Sequence, residues 1–220
     1  MLDVWQSLAT AGVAQIVALS LTVSFSATAV AALIALPLGA LLAMCRFPGR
    51  RALVVLANAL FGLPPVVVGL ALYLALSHQG SLGGLALLFT PTAMTAAQAV
   101  LAAPIITALV HRAVEEPWRE YGGALRVDGA TPARSMRMLI AIARRPVLTA
   151  ILAGFGRTVS EVGAVLIVGG NIAGYTRTMT TTIVLETSMG ELPLALGLGF
   201  IVIGISILVS AAAFVLGEKR

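Results

Sequence analysis

Apolar stretches of membrane-crossing length alternate along this chain with short polar ones. No charge occurs from Val4 to Cys45, and Arg46, Arg50 and Arg51 then surround Pro48-Gly49. From Ala52 to Val110 there is again no charge unless His78 is protonated, and a densely charged stretch follows from His111 to Arg145. Pro146 to Asn171 is apolar except for Arg157 and Glu161, and Arg177, Glu186 and Glu191 follow in a polar stretch. Leu192 to Gly217 is free of charge, and the chain ends Glu218-Lys219-Arg220. A helix needs about 20 apolar residues, rising about 1.5 Å each, to cross about 30 Å of hydrocarbon. The Ala52–Val110 gap is too long for one span, and the turn-forming run Ser77-His78-Gln79-Gly80-Ser81-Leu82-Gly83-Gly84 divides it. The pattern predicts an all-α integral membrane protein with five transmembrane helices, at about 15–44, 52–76, 86–110, 147–169 and 192–216. A segment 1–14 with a short interfacial helix at 3–11 precedes them, the charged loop is 111–146, and the tail is 217–220.

Five spans put the two ends of the chain on opposite sides. The 46–51 cluster, the arginines of the long loop and the tail then share one side, which collects 12 of the 14 basic residues. Basic residues mark the cytoplasmic face, so the expected orientation is N-out/C-in. A sixth span would move only the N-terminus. Composition agrees: 59% of residues are hydrophobic and 10% charged, against roughly 25% charged in soluble domains. A soluble enzyme or a disordered chain is excluded on that ground. The net charge of +5 follows membrane orientation rather than a nucleic-acid surface, so no nucleic-acid partner is expected. With Cys45 alone, no intrachain disulfide or cysteine metal cluster forms, and no metal site is expected. No basic region precedes the first apolar stretch, so a cleavable signal peptide is not expected.

Within the spans, Ser20, Ser24 and Thr28 recur every four residues beside Ala27, Ala31 and Ala35, which reads as a close helix–helix seam. Pro37 and Pro104 each free a carbonyl that protein or water must satisfy. Pro64-Pro65 begins an irregular patch inside the second span, either a simple proline kink or, in a transporter, a hinge or a pore-lining break. Arg157 and Glu161 are four apart and so share a helix face. Arg157 lies about 16 Å into its span at about 1.5 Å per residue, near the bilayer midplane. A lone charge there costs at least about 2.5–3.5 kcal/mol, so both face the bundle interior. They are either a mutual ion pair bracing helices or the lining of an anion path.

In the charged loop, Glu115-Glu116-Pro117 reads as a helix start, Gly122-Gly123 as its weakening or end, and Asp128-Gly129 as a turn. Thr131-Pro132 starts another helix, with Thr131 as N-cap and Pro132 at the first position. Met136, Leu139, Ile140 and Ala143 fall on one face of it, with Arg134, Arg137, Arg144 and Arg145 available to water. Such a helix, set away from the bundle, either lies on anionic lipid or is a peg for a cytoplasmic partner.

The stretch Gly123-Ala124-Leu125-Arg126-Val127-Asp128-Gly129-Ala130-Thr131-Pro132 resembles the cytoplasmic signature and coupling-helix start of the inner-membrane permease subunits of binding-protein-dependent ABC importers. Gly123 stands where that signature opens with Glu. Leu63-Pro64-Pro65-Val66-Val67-Val68-Gly69 and Arg157-Thr158-Val159-Ser160-Glu161-Val162-Gly163-Ala164 are similar to segments of the oxyanion permeases. The run Asn171-Ile172-Ala173-Gly174-Tyr175-Thr176-Arg177-Thr178-Met179-Thr180-Thr181 is most similar to the tungstate branch. The resemblance implies a type I importer permease fold and a homodimer in a bacterial or archaeal cytoplasmic membrane. It also implies two cytoplasmic ABC ATPase subunits and an extracytoplasmic oxyanion-binding protein. Gly123, Ala124, Asp128, Gly129, Thr131, Pro132, Arg134 and Met136 would then meet the ATPase. Asn171 and Arg177 would meet the binding protein, since the Gly- and Thr-rich loop 169–190 is either a flexible connector or a docking surface.

No Gly-x-x-x-x-Gly-Lys-Ser/Thr phosphate loop occurs, and the one lysine is Lys219. No cofactor is expected on this chain, and ATP and Mg would belong to the partner ATPase. No His-Glu-x-x-His occurs, and Ser20, Ser24 and Ser160 have no histidine at plausible depth, so the chain is not expected to be an enzyme. The expected function is ATP-driven import of a tetrahedral oxyanion by alternating access, tungstate first and molybdate or sulfate next. A secondary transporter or channel without an ATPase is the alternative, and a non-transporting scaffold the third.

Overall fold

A computed structural model describes residues 12–218. The interfacial helix expected at 3–11 and the tail residues Lys219-Arg220 lie outside the described residues. The described chain is helical: α1 (Val13–Met44), α2 (Arg50–Ala59), α3 (Pro65–Leu76), α4 (Pro91–Val127), α5 (Pro132–Ile142), α6 (Arg144–Val159), α7 (Gly163–Gly169), α8 (Met179–Met189) and α9 (Leu192–Glu218). Val13–Met44, Pro91–Val127 and Leu192–Val215 are each long and apolar enough to cross a membrane. The pair Arg50–Gly62 and Pro65–Leu76 bends by 101°, the pair Pro132–Ile142 and Arg144–Val159 by 83°, and counting each as one span gives up to five.

The pairing of α1 with α4 is the spine. Ser20, Ser24, Ala27, Thr28, Ala31, Ala35 and Gly39 are all buried along one face of α1. Large side chains of the same helix, Phe25, Leu33, Ile34 and Leu38, point outward and are exposed. This is the arrangement of a helix in lipid, where close backbone approach rather than water exclusion drives association. At Gly39 an added Cβ would lie 2.7 Å from the Thr107 carbonyl oxygen and 2.9 Å from Val110 Cβ. Glycine is the residue that lets α4 pass here.

Several elements differ from the sequence reading. The 52–76 stretch is two helices rather than one, because Pro64-Pro65 ends one and opens the next: Leu63 and Pro64 leave the helical range at ψ 120 and 119, and Pro65 occupies the first turn of α3. The 147–169 stretch is also two helices, broken at Ser160-Glu161-Val162. Glu115-Glu116-Pro117 starts no helix, and Gly122-Gly123 ends none, since α4 runs through both to Val127. Gly122 is used differently: the Trp118 ring packs against it, and a Cβ there would meet Trp118 Cε3 at 2.8 Å. The helix at 132–142 does not stand away from the bundle. Its Leu139 is fully buried in the cluster formed with Ala40, Ala43, Val110 and Val114. The 169–190 stretch is no flexible connector, because it contains α8, opened by a capping box between Thr178 and Thr181 and ended by the left-handed Gly190.

The close α1–α4 approach yields a direct test. Gly39→Ala overpacks that contact and costs about 1–3 kcal/mol, seen as a lowered unfolding temperature of the detergent-purified protein. Gly204→Ala in α9, where an added Cβ meets nothing within 4 Å, leaves it unchanged or raised. An unaltered Gly39→Ala protein is incompatible with this packing.

Candidate functional site

The break between α6 and α7 lies inside an apolar stretch, where every freed backbone group needs a protein partner. The neighbouring side chains supply them. Glu161 Oε1 accepts the Ala164 N–H at 3.0 Å and so caps the start of α7. Its Oε2 accepts from Arg157 Nη1 in an ion pair. Thr180 Oγ1, from α8, donates to the Glu161 carbonyl at 2.8 Å. Gln98 Nε2, from α4, donates to the Thr158 carbonyl at 3.0 Å. Thr158 Oγ1 donates to the Phe155 carbonyl at 2.8 Å and lies 3.2 Å from Thr28 Oγ1 of α1. Four helices therefore close on one break.

Arg157 and Glu161 meet as expected, but not along one helix. Arg157 is in α6, and Glu161 lies past its end, where its carboxylate serves both the arginine and the next helix. Glu161 is 2% exposed, against 25% for Arg157, so the open side of the pair presents the guanidinium. Pro65 belongs to the same place. A Cβ on Gly163, two residues after Glu161, would lie 2.9 Å from Val66 Cγ2 and 3.7 Å from Pro65 Cβ. One on Gly69 would lie 2.8 Å from Ala164 Cα. The two helix breaks, Pro64-Pro65 and 160–162, thus face each other. The sequence reading missed Gln98, Thr158 and Thr180. A glutamine in an otherwise apolar run was the available signal for the first.

The second cluster lies at the arginine-rich end. α4 ends in a Schellman turn: Ala130 N donates to the Leu125 carbonyl at 2.9 Å, and Gly129 N to the Arg126 carbonyl at 3.1 Å. Gly129 has φ 67, the left-handed conformation that an L side chain resists. Two residues later Thr131 Oγ1 accepts the Arg134 N–H at 3.3 Å, and Pro132 takes the first turn of α5. Ser135 and Leu139 face the bundle, and Met136 is half-buried. Gly123, Ala124, Asp128, Gly129, Thr131, Pro132 and Arg134 are exposed. Val127, 88% exposed, with Met138 and Ile142, adds an outward apolar surface that the sequence reading did not single out.

At the opposite end Asn171 and Arg177 sit in a structured turn. Thr176 Oγ1 donates to the Gly169 carbonyl at 2.5 Å and accepts the Ile172 N–H at 2.9 Å. Ser20 Oγ of α1 accepts the Met179 N–H at 2.8 Å. Asn171 has φ 50, and Arg177 lines a small cavity with Gln15 and Gly174. The start of α8 links this turn to the break, with Met179 bonded to Ser20 and Thr180 to the Glu161 carbonyl. Pro65 lies beside Gly163 next to the Arg157–Glu161 pair, and among the described residues no side-chain hydrogen bond or ion pair joins Asn171 or Gly129 to that pair.

Residues 35–219 match the model of the binding-protein-dependent transport system inner membrane component family. The chain is 37% identical over 204 residues to the tungstate uptake system permease protein of Peptoclostridium acidaminophilum, covering 93% of this chain and 90% of that one. It is 37% identical over 201 residues to a probable anion ABC transporter permease protein of Haloferax volcanii, covering 89% and 87%. It is 31% identical over 194 residues to the molybdenum transport system permease protein of Escherichia coli, covering 80% and 82%. The chain belongs to the binding-protein-dependent transport system inner membrane component family.

Glu161→Ala removes the ion pair and the cap of α7 together and leaves Arg157 without its counter-charge. Arg157, the charge left behind, is 25% exposed, so the loss lies at or below the roughly 3–5 kcal/mol of a fully buried pair, measured as thermal stability of the purified protein. Arg157→Gln with Glu161→Gln recovers much of that loss. A double-mutant cycle with no coupling between the two positions would falsify the pairing of Arg157 with Glu161.

Proposed function

We propose that this chain is the membrane-spanning subunit of an ATP-driven importer that moves a tetrahedral oxyanion inward by alternating access, with tungstate first and molybdate or sulfate next. The observation that carries this is the exposed α4–α5 corner, held rigid by Gly129 and Thr131 and followed with almost no linker by α6. The relatives named as tungstate, anion and molybdenum permeases support the substrate class. The arginine-rich end is cytoplasmic by the positive-inside rule, in a bacterial or archaeal inner membrane.

A homodimer would be driven by two cytoplasmic ATPase subunits, which hold ATP and Mg, since this chain has no phosphate loop. Each ATPase receives the corner built by Gly123, Ala124, Asp128, Gly129, Thr131, Pro132, Arg134 and Met136, together with Val127 and Met138. α5 connects to α6 across a bend of 83°, and Arg157 lies near the far end of α6, about 20 Å along the helix at about 1.5 Å per residue. A displacement of α5 is thereby delivered to the Arg157–Glu161 break. The guanidinium offsets the desolvation of a passing dianion, and its paired carboxylate keeps binding weak enough for release. The Asn171–Arg177 turn, at the other end, receives the oxyanion-binding protein.

The test is tungstate uptake into vesicles holding this chain, its ATPase and the binding protein. Uptake requires ATP, falls severalfold in Gly129→Val, where a β-branched residue is forced to positive φ, and falls in Arg157→Gln. Vesicles holding this chain alone that transport at full speed without ATP overturn the proposal and establish a secondary transporter or channel. Gly129→Val protein that recovers the ATPase and transports like wild type removes the corner from coupling.

A further inference from the structure

At the arginine-rich end a cavity of about 580 Å³ opens between the end of α1, the start of α2 and the last turns of α4. Arg46, Arg50, Arg51 and Arg119 line it, with Glu115 as its acidic member and Trp118 as an aromatic wall. Glu115 does not neutralise this set. Its Oε1 lies 3.1 Å from Arg119 Nη2 and 3.8 Å from Arg50 Nη2. Arg50 is fixed in place: its Nε donates to the Leu42 carbonyl at 2.5 Å, and its Nη2 lies 3.1 Å from His111 Nε2. A guanidinium only donates, so that histidine nitrogen accepts. Arg46 and Arg51 are exposed and make no ion pair among the described residues. α2 adds to the excess, because its first turn contains Arg50 and Arg51, no acidic residue and no side-chain cap, at the positive end of its dipole.

The surroundings select among anions. α2 has no buried residue, and its Leu53, Val55 and Leu56 are exposed. It is bent from α3 by 101°, so the two cannot both run along the membrane normal, and a helix with basic and apolar residues both exposed suits the headgroup boundary. Phe47, itself exposed, is a second aromatic in the cavity wall. We propose that this cavity holds the phosphate of an anionic phospholipid of the inner leaflet, with Arg46 and Arg51 closing on it, Arg50 fixed beneath, and Phe47 and Trp118 against the glycerol. A freely diffusing phosphate uses the same arginines but gains nothing from the aromatic walls or from the apolar outer face of α2. The site is distinct from the Arg157–Glu161 break, and its lipid assignment rests on the orientation proposed above.

The experiment uses the purified full-length chain, wild type and Arg46→Gln/Arg51→Gln, in neutral detergent. Phosphatidylglycerol, phosphatidylcholine or inorganic phosphate is titrated in, with unfolding temperature and lipid retained in native mass spectra as readouts. Phosphatidylglycerol is expected to stabilise and remain bound to the wild type, while the other two additives do neither. At about 1 kcal/mol per arginine and 1.4 kcal/mol per tenfold, the double variant loses about 10- to 30-fold in apparent affinity. Arg46→Lys/Arg51→Lys keeps most of it. Equal phosphatidylglycerol affinity in the Gln variant, no effect on the wild type, or inorganic phosphate as effective as the lipid each overturns the proposal. Cys45 is exposed beside Arg46 and reports orientation separately. An impermeant maleimide labels it only from the cytoplasmic face of sealed vesicles. Labelling from the other face overturns the inner-leaflet assignment while leaving the detergent result to judge the site itself.

Discussion

The constraint on which this architecture depends is that backbone donors and acceptors cannot be left to lipid. A continuous helix meets it automatically, and a broken one does not. The chain breaks a helix at Ser160-Glu161-Val162 within an apolar stretch, and side chains from α1, α4, α6 and α8 converge there. Glu161 contributes most, since one carboxylate caps α7 and neutralises Arg157 while its own carbonyl is taken by Thr180. The pair is therefore both a packing device and an ionic feature open on the guanidinium side. These are two consequences of one geometry rather than competing descriptions.

The same constraint explains how size is distributed. Lipid tails are as apolar as leucine, so nothing is gained by hiding large aliphatic side chains between helices. α1 accordingly turns Ala27, Ala31, Ala35 and Gly39 inward and Leu33, Ile34 and Leu38 outward. Close backbone approach then lets Ser20 reach the start of α8, and lets Thr28 reach Thr158 beside the break. The small-residue stripe supports the polar cluster because it brings short hydroxyls within reach.

What was legible in the sequence follows from locality. The spacing of charges placed the apolar stretches because crossing length is a property of the chain alone. Thr131-Pro132 announced α5 because an N-cap and a first-turn proline act within three residues. Glu115-Glu116-Pro117 carried the same kind of signal and misled, since α4 is already running when it arrives and packing on α1 carries it through. Gly122 looked like a helix end for want of knowing that the Trp118 ring lies over it. The Thr-rich segment looked loose because its order is set by a capping box and by Ser20, a residue 159 positions away from Met179. The candidate pair was visible from depth and spacing, whereas its partners Gln98 and Thr180 depended on which helices the fold brings together.

The break also bears on where a moving bundle would bend. Proline and glycine breaks suggest hinges, and Pro64-Pro65 invites that view. Yet the 160–162 break is bound across α6, α7 and α8 by a part-buried ion pair and hydrogen bonds, and opening that pair leaves the buried Glu161 carboxylate uncompensated at a cost of several kcal/mol. A load applied along α6 would thus be more cheaply met by moving Arg157, Glu161 and the starts of α7 and α8 together than by parting them. The α3 start, seated on Gly163 and Ala164 with almost no clearance, travels with that block. Bending is then left to a junction without such ties, the left-handed Gly190 between α8 and α9, while the α5–α6 corner is held by the buried Ala143, whose N–H donates to the Leu139 carbonyl and whose carbonyl accepts the Val147 N–H. On this reasoning the break is a clasp that holds the guanidinium side of the pair in one geometry, and any bending would fall at its borders.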